Sequence, residues 1–378
     1  MKNKLDSLEW KKVFQRGIIH EGNLALMEKA MKKAASGEKI LIGFIGGSIT
    51  AGSIASSPRT CYAYLVYSWW KDKFPQSQVG YLNAGIGATT SQFAVARVKE
   101  DLLNHDPDVI FAEFSVNDAD NEFFQESFEG LIRRILSHVG QPALFIFNNV
   151  FYNNGINAQR VHNEVGIHYD LPIVSMKESL YQEILLGNLK EEEITPDHLH
   201  PNDLGHSLVA QVIIHRLEQI YHRVFHHNIH SSPYCFPKLT VTKNRLEGSF
   251  RYHNRNSNPI LNGFEPDLDR NKESYDVFRN GWRARKAGSS IQFLVEGSWI
   301  SIQYRKYVDH PAPLAKVVID NQENRSVILD ANFEETWGDC LYLQDITRDE
   351  EPGKHTVTIT ILEEGKDKDF YLASIITA

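Results

Sequence analysis

Up to about residue 223, short apolar runs alternate with longer stretches whose apolar residues recur at helical spacing, and few folds accept that rhythm. The runs fall at residues 39–45, 79–83, 108–114, 143–148 and 172–175. The helical stretches fall at 60–74, 91–104, 122–139, 158–169 and 203–222. Strands that read as apolar on both faces, each followed by an amphipathic helix, predict a parallel sheet covered on both sides. In such sheets the working residues stand on loops at the carboxyl ends of the strands. Three loops are therefore of interest: 46–51, 84–90 and 115–119.

The rhythm changes beyond residue 223. Residues 226–237 are rich in His, Ser and Pro and read as a linker. After it come short β-type runs at 291–295, 299–304, 315–319, 326–329, 355–361 and 370–376, punctuated by Gly297, Asp320 with Asn321, and Pro352 with Gly353. This is the pattern of an antiparallel sandwich, jelly-roll-like in its spacing. The expected organisation is an α/β domain over 1–225, a linker over 226–239 and a β-sandwich over 240–378.

Composition narrows the function classes. The net charge of −8 and the absence of a basic stripe argue against nucleic-acid binding. No run approaches the roughly 18 apolar residues of a membrane span. The charged opening MKNKLDSLEWKKVFQRG lacks the apolar core of a secretory signal. Cys61, Cys235 and Cys340 are too few and too scattered for a disulfide framework or a zinc site. A cytoplasmic protein is expected, and a homo-oligomer is compatible with the sequence.

Four segments carry chemistry. In IGFIGGSITAG, Ser48 follows an apolar strand and two glycines, where a sharp turn can expose a hydroxyl and small neighbours let substrate approach. A serine hydroxyl becomes a nucleophile only when a base takes its proton. In DHLHP, Asp197 and His200 can supply the base and the carboxylate that orients it from one short loop. His198 and His206 are rival bases. His198 follows Asp197 directly, so a shared loop aims the two apart, and His206 lies within a helix where it faces solvent or caps. In FAEFSVND, Asn117 ends a strand and can offer a side-chain N–H to an oxyanion, or it can simply close an Asx-turn. In NAGIGATTS, small residues can present a backbone N–H to the same oxyanion, from Ala88 or, failing that, Gly87. A metal site on Asp197, His198, His200 and Asp203 has no recognised ligand spacing.

GGSIT, NAGIGATTS, SVND and DHLH, in that order, resemble the four blocks of the SGNH (GDSL-type) hydrolase superfamily over roughly residues 40–210. The resemblance implies a flavodoxin-like three-layer α/β/α domain and acyl transfer with Ser48 as nucleophile, His200 as base and Asp197 as its partner. It also implies an oxyanion hole made by the N–H groups of Ser48 and Ala88 and by Asn117 Nδ2. Two departures stand out. Gly47 replaces the aspartate of the Gly-Asp-Ser name, and Ala88 replaces the usual oxyanion glycine, so a methyl group must be tolerated where glycine adopts the backbone more easily. The chemistry needs no cofactor, and activity should rise with pH as imidazole loses its proton.

The second domain resembles the β-sandwiches that accompany carbohydrate acetylesterases. Sugar rings stack on flat aromatic faces, and Trp282, Trp299, Tyr304, Trp337 and Tyr342 are candidates, most of them expected in the core. Trp337, in the polar run NFEETWGD, is the one expected at the surface as a substrate contact. The expected reaction is removal of acetyl groups from xylan- or mannan-type oligosaccharides. The alternative is a lipid, thioester or general short-chain esterase on the same triad.

Overall fold

A computed structural model describes residues 8–227, 230–268, 277–348 and 352–378. The chain divides into two compact units, one ending at Glu247 and the other spanning Gly248–Ala378.

The first unit is built on a six-stranded sheet. Its strands are β1 (Ile18–His20), β2 (Ile40–Gly46), β3 (Val79–Gly85), β4 (Val109–Glu113), β5 (Ala143–Asn148) and β6 (Ile173–Ser175). Their order across the sheet is β1-β6-β5-β4-β2-β3. Strands β2 to β6 run parallel, as their apolar runs predict, and β1 pairs antiparallel with β6. Too short and mixed to stand out as an apolar run, β1 was not anticipated, nor was the helix Ala25–Ala35 before β2.

Both faces of the sheet are buried. Ile42, Phe44, Phe111, Phe145 and Phe147 enter one core with Tyr62, Val66 and Trp70 of the helix Tyr62–Lys73 and with Val209 and Ile213 of the helix Asp203–Phe225. Phe111 stacks on Phe44 at 5.0 Å between centroids and packs on Phe145 at 5.3 Å. The alternate residues Ile45, Ile110, Ala112, Leu144 and Ile146 are buried too. Each of the Ile, Leu and Phe side chains contributes roughly 1.5–3 kcal/mol by leaving water.

The strand order positions the site. From β2 the chain goes to β3 on one side and then to β4 on the other. The connections therefore diverge at β2 and open a crevice at its carboxyl end, the usual place for a ligand in an open α/β sheet. Ser48 stands there.

The domain boundary lies further along the chain than the expected 239–240. Residues 230–247 cross the first unit as a strap. Glu129, buried in the helix Glu122–Leu136, accepts the N–H groups of Val241 and Thr242, both at 2.7 Å. Its neighbour Glu126 accepts Arg245 N at 2.7 Å and the Arg245 guanidinium at 3.1 and 2.9 Å. The expected linker, 226–239, is partly held as well: Ser231 N donates to Glu28 and Tyr234 OH to the carbonyl of Tyr169. Buried carboxylates need donors, and the strap's backbone supplies them.

The second unit contains two antiparallel sheets. One orders the strands Cys340–Thr347, Ile300–Lys306, Phe370–Thr377, Trp282–Ala284 and Glu265–Pro266, with Phe250–Tyr252 also beside Phe370–Thr377. The other orders Val327–Asp330, Leu314–Ile319, Gly353–Glu363, Ser290–Gly297 and Ile260–Asn262. Ile302, Tyr304, Leu372 and Ile375 from the first sheet share one core with Phe293, Val317, Ile359 and Ile361 from the second, which makes the unit a sandwich. All six expected β runs are strands. The strand Cys340–Thr347 was not anticipated, because polar Gln344 and Asp345 interrupt its alternation. Asp345 is held there by Ser301 Oγ at 2.6 Å and Trp299 Nε1 at 3.2 Å.

Candidate active site

β2 ends at Gly46, and Ser48 opens a single helical turn, Ser48–Ala51. Ile49 and Thr50 are buried, and Thr50 Oγ1 is 2.8 Å from Tyr62 OH, while Ser48 remains partly exposed. The two glycines permit close approach. A Cβ on Gly46 would lie 2.1 Å from Thr50 Oγ1, and one on Gly47 would lie 2.2 Å from Asn117 Oδ1. A side chain at position 47 would therefore require the Asn117 amide to move.

His200 reaches the serine from the loop before the helix Asp203–Phe225. Its Nε2 is 2.8 Å from Ser48 Oγ, and its Nδ1 is 2.7 Å from Asp197 Oδ2. An ionised carboxylate only accepts, so Nδ1 carries the proton and Nε2 accepts from the Ser48 hydroxyl. Asp197 Oδ1 also takes the N–H groups of Leu199, at 3.1 Å, and His200, at 2.7 Å. Spacing by three is what allows one carboxylate to close the turn and meet the ring that the turn presents. Burial alone would raise the Asp197 carboxyl. The hydrogen bonds from the His200 ring and from the two backbone N–H groups outweigh it and hold the group below its ordinary value.

The other residues weighed as a metal set, His198 and Asp203, point elsewhere. His198 has a left-handed backbone (φ 68°) and its Nδ1 lies 2.6 Å from Glu191. Asp203 accepts Ser56 N at 2.8 Å, Ser56 Oγ at 2.6 Å and Thr60 Oγ1 at 2.7 Å, which ties the segment after Ser48 to the helix that follows His200. Asn202, not Asp203, caps that helix by accepting Gly205 N at 3.0 Å. Among the described residues no group of three His, Cys, Asp or Glu side chains converges as a metal site would require.

His206 corrects an expectation. It does not face solvent but is fully buried, with Nδ1 3.3 Å from Tyr62 N and Nε2 3.3 Å from Ser53 O. An amide N–H and a carbonyl on opposite sides of the ring select the neutral form. Burial pushes its pKa down to about 4.

Asn117 stands in the turn after β4, where Asn117 N and Asp118 N both donate to Phe114 O, at 3.0 and 2.9 Å. Opposite it, the loop after β3 packs against the nucleophile. Ile86 N donates to Gly46 O at 3.0 Å, and a Cβ on Gly87 would touch Ser48 Cβ at 3.8 Å. Ala88 is exposed and adopts the left-handed conformation, with φ 55°. The family's glycine suits that angle, and this chain accepts the strain instead. Of the residues named from the sequence, Ser48, His200 and Asp197 form one hydrogen-bonded chain, Asn117 lies against Gly47 and Gly87 lies beside Ser48.

Two buried supports were missed. Arg97 is fully buried in the helix Ser91–Asp101, and its guanidinium donates to Ala84 O at 2.7 Å and Gly46 O at 3.4 Å, the carbonyl ends of β3 and β2. Its signal was a lone cation in the otherwise uncharged run SQFAVARV. Glu113, at the end of β4, accepts Ser115 N and Oγ, both at 2.8 Å. Burial raises its carboxyl pKa, against the opposing effect of the Ser115 and Asn149 hydrogen bonds.

The cluster is a hydroxyl hydrogen-bonded to an imidazole and an imidazole oriented by a carboxylate, with the loops after β3 and β4 packed against Ser48 and Gly47. This is the equipment of acyl transfer to serine.

Comparison with known proteins agrees. Residues 44–208 match the GDSL-like lipase/acylhydrolase family. The chain is 26% identical over 198 residues to the thioesterase 1/protease 1/lysophospholipase L1 of Escherichia coli (strain K12), covering 50% of this chain and 87% of the relative. Two solved structures are similar over nearly the whole chain. A two-domain esterase (CEX) active on acetylated mannans is 45% identical with a TM-score of 0.92, over 96% of this chain and 98% of that one. The same esterase co-crystallized with mannopentaose aligns at 45% identity with a TM-score of 0.90, over 96% and 97%. The chain belongs to the GDSL-like lipase/acylhydrolase family and is a two-domain ester hydrolase.

Proposed function

We propose that this enzyme removes O-acetyl groups from mannan-type oligosaccharides through an acyl-enzyme on Ser48. The observation that carries the chemistry is the continuous chain Ser48 Oγ, His200 Nε2, His200 Nδ1, Asp197 Oδ2, with links of 2.8 and 2.7 Å. The likeness of both units to an esterase active on acetylated mannans supports the substrate class.

His200 takes the Ser48 proton as Oγ attacks the ester carbonyl. The negative charge on the carbonyl oxygen is held by the N–H groups of Ser48 and Ala88 and by Asn117 Nδ2. The imidazolium, stabilised by Asp197, protonates the departing sugar oxygen and becomes neutral. Neutral His200 then takes a proton from a water that attacks the acetyl-serine, and returns that proton to Ser48 Oγ as acetate leaves. Preorganised donors of this kind are each worth about 10²–10³ in rate.

Trp337 is proposed as a sugar-stacking residue. Trp282, Trp299 and Tyr304 are buried in the sandwich, whereas Trp337 is 58% exposed and braced edge-on by Phe333 at 5.1 Å. Tyr342 is partly exposed, with Lys306 Nζ 4.5 Å from its ring centroid. A cytoplasmic setting belongs to the same reading.

Incubation with acetylated manno- and xylo-oligosaccharides, with acetate release and position read by NMR, tests the proposal. Mannan fragments should be deacetylated fastest, and Ser48→Ala should lower kcat by about 10⁴-fold or more while the protein stays folded. Preference for octanoyl over acetyl esters of the same alcohol would favour a lipid or thioester hydrolase instead.

A further inference from the structure

The oxyanion donors proposed above stand on loops that the sheet joins only through β2. Ala88 follows β3 and Asn117 follows β4, and β2 lies between those two strands, so no hydrogen bond runs directly from one strand to the other. A buried side chain spans the gap beyond the strand ends. The carboxylate of Asp118, next to Asn117, accepts Ser91 N at 2.9 Å through Oδ1, just beyond the loop that carries Ala88. Its Oδ2 is 3.0 Å from His162 Nε2. All three residues are buried. The His162 ring is stacked on Phe128 at 3.8 Å between centroids, and its helix is fixed to the same turn by Ala158 N donating to Ser115 O at 2.7 Å.

We propose that Asp118 is a positioning residue: it sets the separation of the Ala88 and Asn117 donors across β2, with His162 and Phe128 holding its carboxylate in place. The proposal rests on the reading of Ala88 and Asn117 as oxyanion donors. A buried carboxylate with a backbone N–H on one oxygen and an imidazole N–H on the other has few alternative positions. The turn bearing Asn117 and the start of the helix Ser91–Asp101 are therefore fixed relative to each other. Donors must lie within a few tenths of an ångström of the developing oxyanion to act at full strength, and misplacement costs transition-state stabilisation more than substrate binding.

Two variants break the tie at different ends. Asp118→Ala removes the acceptor. Ser91→Pro removes the donor, at a first-turn helix position that suits proline and after Thr90, whose backbone is extended (φ −103°, ψ 173°). Ser91→Ala is the control, because it loses the hydroxyl bonded to Ser127 Oγ but keeps the N–H. The readouts are kcat and KM for 4-nitrophenyl acetate, inhibition by phenylboronic acid, which forms a tetrahedral adduct on serine, and a thermal melt.

The expected result is a loss of about 10-fold or more in kcat for Asp118→Ala and Ser91→Pro, with KM within about 2-fold and boronate affinity falling in the same ratio as kcat. Ser91→Ala should stay well above Ser91→Pro. In an Asn117→Ala background the Asp118→Ala loss should shrink. Unchanged kcat in both variants, a rise confined to KM, or full additivity with Asn117→Ala overturns the proposal. If Asn117→Ala itself leaves kcat unchanged, the oxyanion reading fails and not the tie alone.

Discussion

Ala88 shows how a single residue can depart from its family's pattern and leave the proposed chemistry intact. The role assigned to it uses a main-chain N–H, which alanine keeps. What alanine adds is a methyl group on a backbone at φ 55°, where L-residues cost roughly 1–2 kcal/mol more than glycine. Ala88→Gly should therefore raise stability by about 0.5–1 kcal/mol in denaturant melts and leave kcat within about 3-fold. A large loss of activity would mean that the methyl group contacts substrate. Ser48, Asp197 and His200 were legible at this scale because each lies in a local motif: the Asp-x-x-His spacing by itself closes the turn that aims the ring. Asn117 and Ala88 stand in the loops after β4 and β3, where the sequence places them, and their oxyanion role belongs to the proposal. Arg97 and Asp118 do their work on atoms far away in sequence, and no local pattern reports that.

At the scale of elements, the helix Asp203–Phe225 joins catalysis to stability. His200 precedes it, Asp203 in its first turn holds the segment after Ser48, and His206 is buried beneath. His206 was misread because an apolar stripe gives the face of a helix only to within a residue or two, and a polar residue at the stripe's edge can lie on either side. Its burial has a pH consequence. The folded chain keeps His206 neutral down to about pH 4, whereas the unfolded chain takes up the proton near the ordinary histidine value of about 6.5. Between those values the unfolded state binds more protons, so stability is full above about pH 6.5 and falls as pH drops toward 4, by roughly 3 kcal/mol in all from this group. Urea melts from pH 7.5 to pH 4 should show the decline. In His206→Asn, which keeps an acceptor and a donor but cannot take the proton, the decline should be smaller by that amount. Equal slopes for the two proteins would contradict the assignment.

For the whole molecule, the division into an α/β unit and a sandwich was visible in the change of apolar rhythm, but the boundary was not. Residues 240–247 read as the start of the β domain because they are polar and lack helical spacing. Their partners, Glu126 and Glu129, lie on a helix more than a hundred residues earlier, and only folding brings them together. A chain ending at residue 247 should therefore be appreciably more stable than one ending at 239, which leaves two buried carboxylates without those donors at a cost of several kcal/mol. Comparing their thermal melts tests the boundary. Similar melting temperatures would show that the strap is dispensable to the first unit.

The central claim is that an acetyl group passes from the sugar to Ser48 Oγ before it reaches water. Rapid acid quench during turnover of an acetylated manno-oligosaccharide, followed by peptide mass spectrometry, reads this directly. The account predicts one acetyl group on the peptide containing Ser48 in the wild type and none in Ser48→Ala. Undiminished acetate release by Ser48→Ala, or acetyl found only on another residue, would contradict it.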